Sequence, residues 1–246
     1  MGQESASLAE SFHKYFSVDL ATSPEQKQEI FRVRYRVYCD EFGLEDGDKY
    51  PDKAEYDEFD DYAIQFLISH KASGIPAGCA RLVPAAVSSN YHMLPFEKYC
   101  ADGIDDDYLR KLGMDRGHIC EISRLLVDSS FRQRSGETMT RLGKPNAMDF
   151  SHHEERTFSL VAVAGYLATM ALTDITGRTN MFAMMDPYLP EVLQQAGIQF
   201  RRVGKDVDYH GVRAPYFIKT ESVLENMPSE IRVLYDAIYE QMEDAY

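Results

Sequence analysis

Apolar and polar positions along the chain divide it into alternating helical and extended stretches. Ser23-Pro24-Glu25-Gln26 supplies an N-cap, a proline at the first helical position and an acid in the first turn, so a helix is predicted from there to about Glu41. Ile30, Val33, Val37 and Cys39 form its apolar side, and Arg32, Arg34 and Arg36 make the segment basic. Tyr62–His70 and Ile75–Val83 read as a strand pair turning around Ser73-Gly74, with Pro84 ending the second. Short helical turns are expected at Leu94–Tyr99 and Asp106–Leu112, and His118–Asp128 reads as a central strand. The apolar run Phe158–Leu172, within a helix expected over Thr157–Asp174 that stops near Gly177, reads as buried. Asn180–Met185 follows as a strand, then a short helix over Pro187–Ala196 closed by Gly197. Ile198–Val203 and Arg213–Lys219 are set to pair around His210-Gly211. Ile231, Leu234, Tyr235, Ile238, Tyr239 and Met242 recur at helical spacing, predicting a C-terminal amphipathic helix over about 229–243.

This order predicts a mixed, mostly antiparallel α/β sheet flanked by helices. It lacks repeated βαβ units, a Walker motif and a Gly-x-Gly-x-x-Gly fingerprint, which disfavours a nucleotide-binding Rossmann domain. No linker-like stretch interrupts the 246 residues, so one domain over 1–246 is expected, with an insertion or lid at about 129–156, where no periodicity persists. Hydrophobic content of 44% and charged content of 27% suit a globular protein. The formal net charge of −14 argues against nucleic acid or an anionic membrane surface as partner. Four scattered cysteines without a Cys-x-x-Cys pair read as reduced thiols. With no run long enough to span a bilayer and no secretion signal at the start, the expectation is a cytoplasmic protein.

Candidate chemistry centres on Glu121-Ile122-Ser123-Arg124, three polar side chains at the mouth of an apolar strand. Strict alternation puts Glu121 and Ser123 on one face and Ile122 and Arg124 on the other. Buried unpaired, each polar group would cost free energy, so the segment reads either as a site or as an ion pair. In the catalytic reading Glu121 is a general base for an amine. Acids at Glu55, Asp57 and Asp60 alternate with Tyr56 and Phe59 before a strand, so they can hold a cationic substrate or keep a buried arginine paired. Arg81, near the end of an apolar strand, has the rigid fork to pair with Asp57 or Asp60, and Arg34 can join that network or lie on a helix surface. Arg132, Arg134, Arg141 and Lys144 make a basic stretch in an acidic chain, either a solvated loop or an anion patch for a phosphopantetheine carrier. His118 and His152-His153 lack metal-ligand spacing, and no metal is expected.

Taken in order, Arg34-x-x-Val37-Tyr38, Glu55-x-Asp57-x-Phe59-Asp60, Arg81-Leu82-Val83-Pro84 and Glu121-Ile122-Ser123-Arg124 resemble the signature of acyl-homoserine-lactone (autoinducer) synthases. The second half, with Gly197-Ile198-Gln199-Phe200, Gly204 and Tyr209-His210-Gly211-Val212-Arg213-Ala214-Pro215, is more similar to the acyltransferases of PEP-CTERM/exosortase systems and to N-acyl amino acid synthases. The resemblance implies a GNAT fold and transfer of a fatty acyl group, of long chain, from acyl carrier protein or acyl-CoA to an amino acid or related small-molecule amine. It implies no tightly bound cofactor. It assigns catalysis to Glu121, Arg124 and Ser123, substrate binding to Arg34, Asp57, Asp60 and Arg81, and carrier or cofactor contact to Arg132 and Arg134. Phe42-Gly43-Leu44 stands where autoinducer synthases carry a tryptophan, and the chain has none, which points away from S-adenosylmethionine as acceptor. A homoserine-lactone synthase using S-adenosylmethionine and a non-catalytic module that binds a ligand or carrier protein remain the alternatives.

Overall fold

The computed structural model describes residues 7–88, 90–103, 113–132, 153–195 and 198–246. The chain opens with two elements the sequence pattern did not suggest, helix α1 (Leu8–Tyr15) and edge strand β1 (Phe16–Leu20). A capping box starts α1: the Ser7 hydroxyl accepts from the Glu10 N–H, and the Glu10 carboxylate accepts from the Ser7 N–H, satisfying two donors that a helix start leaves open. Ser23 and Gln26 repeat the device at α2 (Pro24–Tyr35). That helix runs on through a wide π turn, Arg36–Glu41, so its end falls where the sequence placed it.

The main sheet runs β1, β2 (Ile64–His70), β3 (Pro76–Pro84), β6 (Ile119–Val127), β7 (Asn180–Met185), β10 (Val212–Lys219) and β8 (Arg201–Arg202). Among the described residues only the β6–β7 pair is parallel. A small hairpin, β4 (Ala86–Val87) with β5 (Asn90–Tyr91), lies apart, and β9 (Val207–Asp208) pairs with the start of β10. Helices α4 (His153–Ile175) and α7 (Ser229–Glu243) cover one face, burying Phe66, Leu82, Ile122, Leu167, Leu172, Leu234 and Ile238 in one cluster. Helix α2 and the short α3 (Pro95–Tyr99) cover the other. Helices α5 (Leu189–Gln195) and α6 (Thr220–Asn226) complete the chain order.

The mostly antiparallel architecture agrees with the sequence reading. Helix α4 begins earlier than expected, so it takes up the end of the stretch read as an insertion, and Ser129–Phe131 forms one 3-10 turn. The rest of that stretch, the turn expected at Asp106–Leu112 and Gly197 lie outside the described residues.

Candidate active site

The parallel pair of β6 and β7 spans only Ile119–Asn180, Cys120–Met181 and Glu121–Phe182. Beyond Glu121 the two strands part, and a cleft partly open to solvent fills the gap. Ile122, Ser123, Arg124 and Leu125 line it from β6, Met181, Ala183 and Met185 from β7, and Tyr166 and Thr169 from α4. Its apolar walls with a few polar groups are those of a small-molecule site.

Strand β6 carries a bulge at this point. Arg81 pairs with Ser123 and Cys79 with Leu126, so two residues of β6 stand opposite Ala80. Arg124 is the inserted residue, in the left-handed region with φ 55°, which side chains rarely occupy. Further along β3, where Gly78 pairs with Val127, a Cβ on Gly78 would approach the Leu126 carbonyl oxygen to 2.8 Å, so that position needs glycine. The bulge overturns the strict alternation expected from sequence. Instead of joining Ile122 on the face against α4, Arg124 turns to the face of Glu121, Ser123 and Arg81, where it meets Glu55 and Asp57.

On that face the structure brings together Arg34, Asp57, Asp60, Arg81, Ser123 and Arg124. The Arg34 side chain, 0% exposed, donates from Nε to Glu55 Oε2 at 2.5 Å and from Nη1 to Asp60 Oδ1 at 2.7 Å. Arg81 grips Asp57 with two parallel bonds of 2.6 and 2.8 Å, donates to Ser123 Oγ at 2.9 Å, and lies 2.9 Å from Asp60. Arg124 Nη2 donates to Glu55 Oε1 at 2.9 Å, with Asp57 at 3.5 Å and Glu45 at 3.6 Å. Two-pronged charged bonds of this kind are the strong ones. Asp57 and Asp60 also cap their own 3-10 turn, Glu58–Asp61, each accepting a backbone N–H. Sealed in the protein, Arg34 meets no substrate; it braces the acids from behind. The sequence reading named Glu55 in the acidic motif but not among site residues, although it is 0% exposed and is the carboxylate shared by Arg34 and Arg124. Despite its burial, the two guanidiniums hold its carboxyl well below the ordinary range.

Glu121 lies one pleat from Ser123 and is 2% exposed. Val83, Phe96, Phe182 and Phe217 form the apolar cluster on its face, and its Oε2 accepts the Phe96 N–H at 2.8 Å. Burial pushes its carboxyl up from 4.5 to about 8; the Phe96 N–H and the Arg81 charge oppose the shift without cancelling it. Cys120 points to the opposite face, where its thiol donates to the Arg178 carbonyl, and burial pushes that thiol up. It is therefore no nucleophile.

Arg132, expected to contact a carrier, pairs with Glu41 and lies over the Phe42 ring. Arg134, Arg141 and Lys144 lie outside the described residues. Among the described residues no cluster of His, Cys, Asp and Glu is suited to a metal, and no helix is long and apolar enough to cross a membrane. The sequence reading placed Tyr38 in the Arg34-x-x-Val37-Tyr38 motif without a site role; its ring lies 5.1 Å under the Arg124 guanidinium, and Glu45, also given no role, contacts His210 at 3.1 Å.

A parted parallel pair beside a bulged central strand agrees with the GNAT-like fold expected from the sequence. Residues 33–141 match the family model described as "Acetyltransferase (GNAT) domain". Among solved structures it resembles TofI, crystallised in a ternary complex with an inhibitor and MTA, at 18% identity over 87% of this chain and 99% of TofI, with a TM-score of 0.57. It also resembles BjaI, a CoA-dependent acyl-homoserine lactone synthase, at 16% over 91% and 89%, TM-score 0.56. FeeM, an N-acyl amino acid synthase from uncultured soil microbes, aligns at 12% over 86% and 94%, TM-score 0.55. At these identities the likeness is one of fold. No curated protein sequence matches the chain.

Proposed function

We propose that the protein is an N-acyltransferase that moves a fatty acyl group from a thioester, on acyl carrier protein or coenzyme A, to the amine of an amino acid or related small molecule. One observation carries the reading: a buried carboxyl with proton affinity near neutral pH stands where β6 and β7 part around an apolar cleft. The GNAT domain match and the fold shared with acyl-homoserine-lactone and N-acyl amino acid synthases support it.

In this reading the acyl chain lies among Met181, Ala183, Met185 and Leu189, with the thioester carbonyl at the level of Ser123 and Arg124. Where β6 no longer pairs with β7, alternate N–H groups along its edge face the cleft and stabilise the developing oxyanion. The acceptor nitrogen bonds to the carbonyl carbon and gives its proton to the Glu121 carboxylate. The carbon–sulfur bond then breaks, and the sulfur takes up that proton and leaves as thiol. A base with a proton affinity near the working pH is the kind general catalysis favours. Arg81, Asp57, Asp60 and Glu55 hold Ser123 and Arg124 in register. The guanidinium charges in this network are already met by carboxylates, so the acceptor contacts it only through its exposed rim.

Mass spectrometry of lipid extracts from cells producing the protein, beside cells producing Glu121→Gln, tests the reading. New acylated amines that vanish in the variant support it, whereas identical profiles across several hosts would refute it.

A further inference from the structure

The register of β6 with β7 ends at Glu121 and Phe182. Past that point a run of side-chain contacts leaves the cleft wall at Arg124 and returns to it at Asp186, just beyond β7. Arg124 Nη2 lies 3.6 Å from Glu45 Oε1, and His210 Nε2 lies 3.1 Å from the same oxygen. Arg213 Nη2 donates to the His210 carbonyl at 3.1 Å, and its Nη1 pairs with the Asp186 carboxylate. Glu45 belongs to the part of the molecule before the cleft, whereas His210, Arg213 and Asp186 belong to the part after it. The path crosses from one part to the other at the Glu45–His210 contact.

Both ends of that contact are held from behind. Gly43, at φ 58°, turns the chain back after the π turn, and the Tyr38 carbonyl accepts the Leu44 N–H at 2.7 Å and the Glu45 N–H at 3.2 Å. The residue that anchors Glu45 by its backbone is thus the one whose ring lies under Arg124. On the other side, the turn between β9 and β10 carries His210, a non-glycine residue, at φ 55° and Gly211 at φ 91°. Left-handed backbone at a residue with a side chain persists only where contacts enforce it. The Tyr209 N–H, donating to the Gly211 carbonyl at 2.9 Å, and Arg213 supply them. The His210 and Glu45 side chains are only 21% and 15% exposed, so theirs is not one of the solvent-washed pairs that contribute little. The His210 hydrogen bond, helped by Arg124, holds the Glu45 carboxyl below its ordinary range despite partial burial.

We propose that Glu45 and His210 are positioning residues of the acyl-transfer site: their contact clasps the two parts of the sheet across the cleft and sets Arg124 against the wall that β7 contributes. The inference rests on the acyl-transfer reading. It gives the turn of His210, Gly211 and Arg213 a part in a network otherwise drawn from the first half of the chain.

The test uses the full chain with Glu45→Ala, His210→Ala, the double variant, and His210→Gln, whose amide nitrogen can make the same donation. The donor is dodecanoyl-CoA and the acceptors are a mixture of the proteinogenic amino acids. Each single alanine variant should lower kcat about tenfold, since small displacements of positioned groups carry penalties of at least that size, with KM for the thioester and the melting temperature unchanged. The double variant should lose no more than either single one, because one contact cannot be lost twice, and His210→Gln should recover most of the rate. Wild-type kcat in either alanine variant, losses that multiply in the double variant, no recovery in His210→Gln, or a loss that only follows a fall in melting temperature overturns the proposal. A second measurement needs no turnover. Hydrogen exchange should quicken at the Leu44 and Glu45 amides in His210→Ala, and at the Tyr209 amide in Glu45→Ala. Unchanged exchange in either variant sinks the clasp, even where acyl transfer is confirmed. If wild-type protein transfers no acyl group while exchange quickens in both, the acyl-transfer reading fails and the clasp across the cleft stands.

Discussion

Among the described residues Glu121 has the Phe96 N–H as its one hydrogen-bond donor and an apolar cluster around it, so its charged form is poorly solvated and its proton is held to about pH 8. The consequence for stability has a definite sign. In the unfolded chain the group loses its proton near 4.5, while in the folded protein it keeps it to about 8. Folding is therefore favoured by this group at low pH and progressively less so as pH rises through that window. Glu121→Gln removes the slope, so its melting temperature should gain on wild type between pH 4.5 and 8 and hold the gain above. Thermal melts across that range check it; parallel curves for the two proteins would refute the assigned proton affinity. Activity should run the other way, rising toward pH 8 as the carboxylate forms. Glu55 is the counterexample in the same site. Equally buried, it is kept ionised because two guanidiniums meet it. Sequence made both acids visible, but which would stay charged depends on neighbours brought from 21 and 69 residues away.

At the scale of elements, β6 shows what periodicity can and cannot convey. Alternation correctly separates Cys120 and Ile122 from Glu121 and Ser123. It fails at Arg124 because a bulge adds a residue, and nothing in Ser-Arg-Leu-Leu announces a left-handed arginine. Helix α1 and strand β1 escaped notice for a different reason: they are 8 and 5 residues long, too short for periodicity to register. The signal available was Ser7-Leu8-Ala9-Glu10, a capping box. The turn between β9 and β10 was legible from His210-Gly211, but the contact of His210 with Glu45 depends on how β10 sits against β7. The parting of β6 and β7 also yields a prediction. Ala183 is a small side chain on the cleft wall, so Ala183→Phe should fill part of the acyl space and shift the products toward shorter chains. Chain-length analysis of the acylated amines checks this, and an unchanged distribution would place the acyl group elsewhere.

Across the whole molecule, four strands before the cleft (β1, β2, β3, β6) and three after it (β7, β10, β8) form one sheet whose two parts meet at three residue pairs. The arginines and acids sit almost entirely on the first part: Arg34 on α2, Arg81 on β3, Arg124 on β6 and the acids on the loop between α2 and β2. That division explains why the motifs legible in sequence cluster in the first half, with the second contributing walls and the turn that brings His210 to Glu45. The short seam has a consequence for measurement. A molecule lying in the cleft touches Ile122 and Leu125 on one side and Met181 and Met185 on the other, so it works as mortar between two courses of brick. Anything that binds only the folded state raises its stability with concentration. A non-hydrolysable acyl thioether of coenzyme A should therefore raise the melting temperature in proportion to the logarithm of its concentration, in Glu121→Gln as fully as in wild type. Occupancy of the seam can thus be read as heat resistance, and the acyl group the protein prefers can be ranked before any acceptor is known.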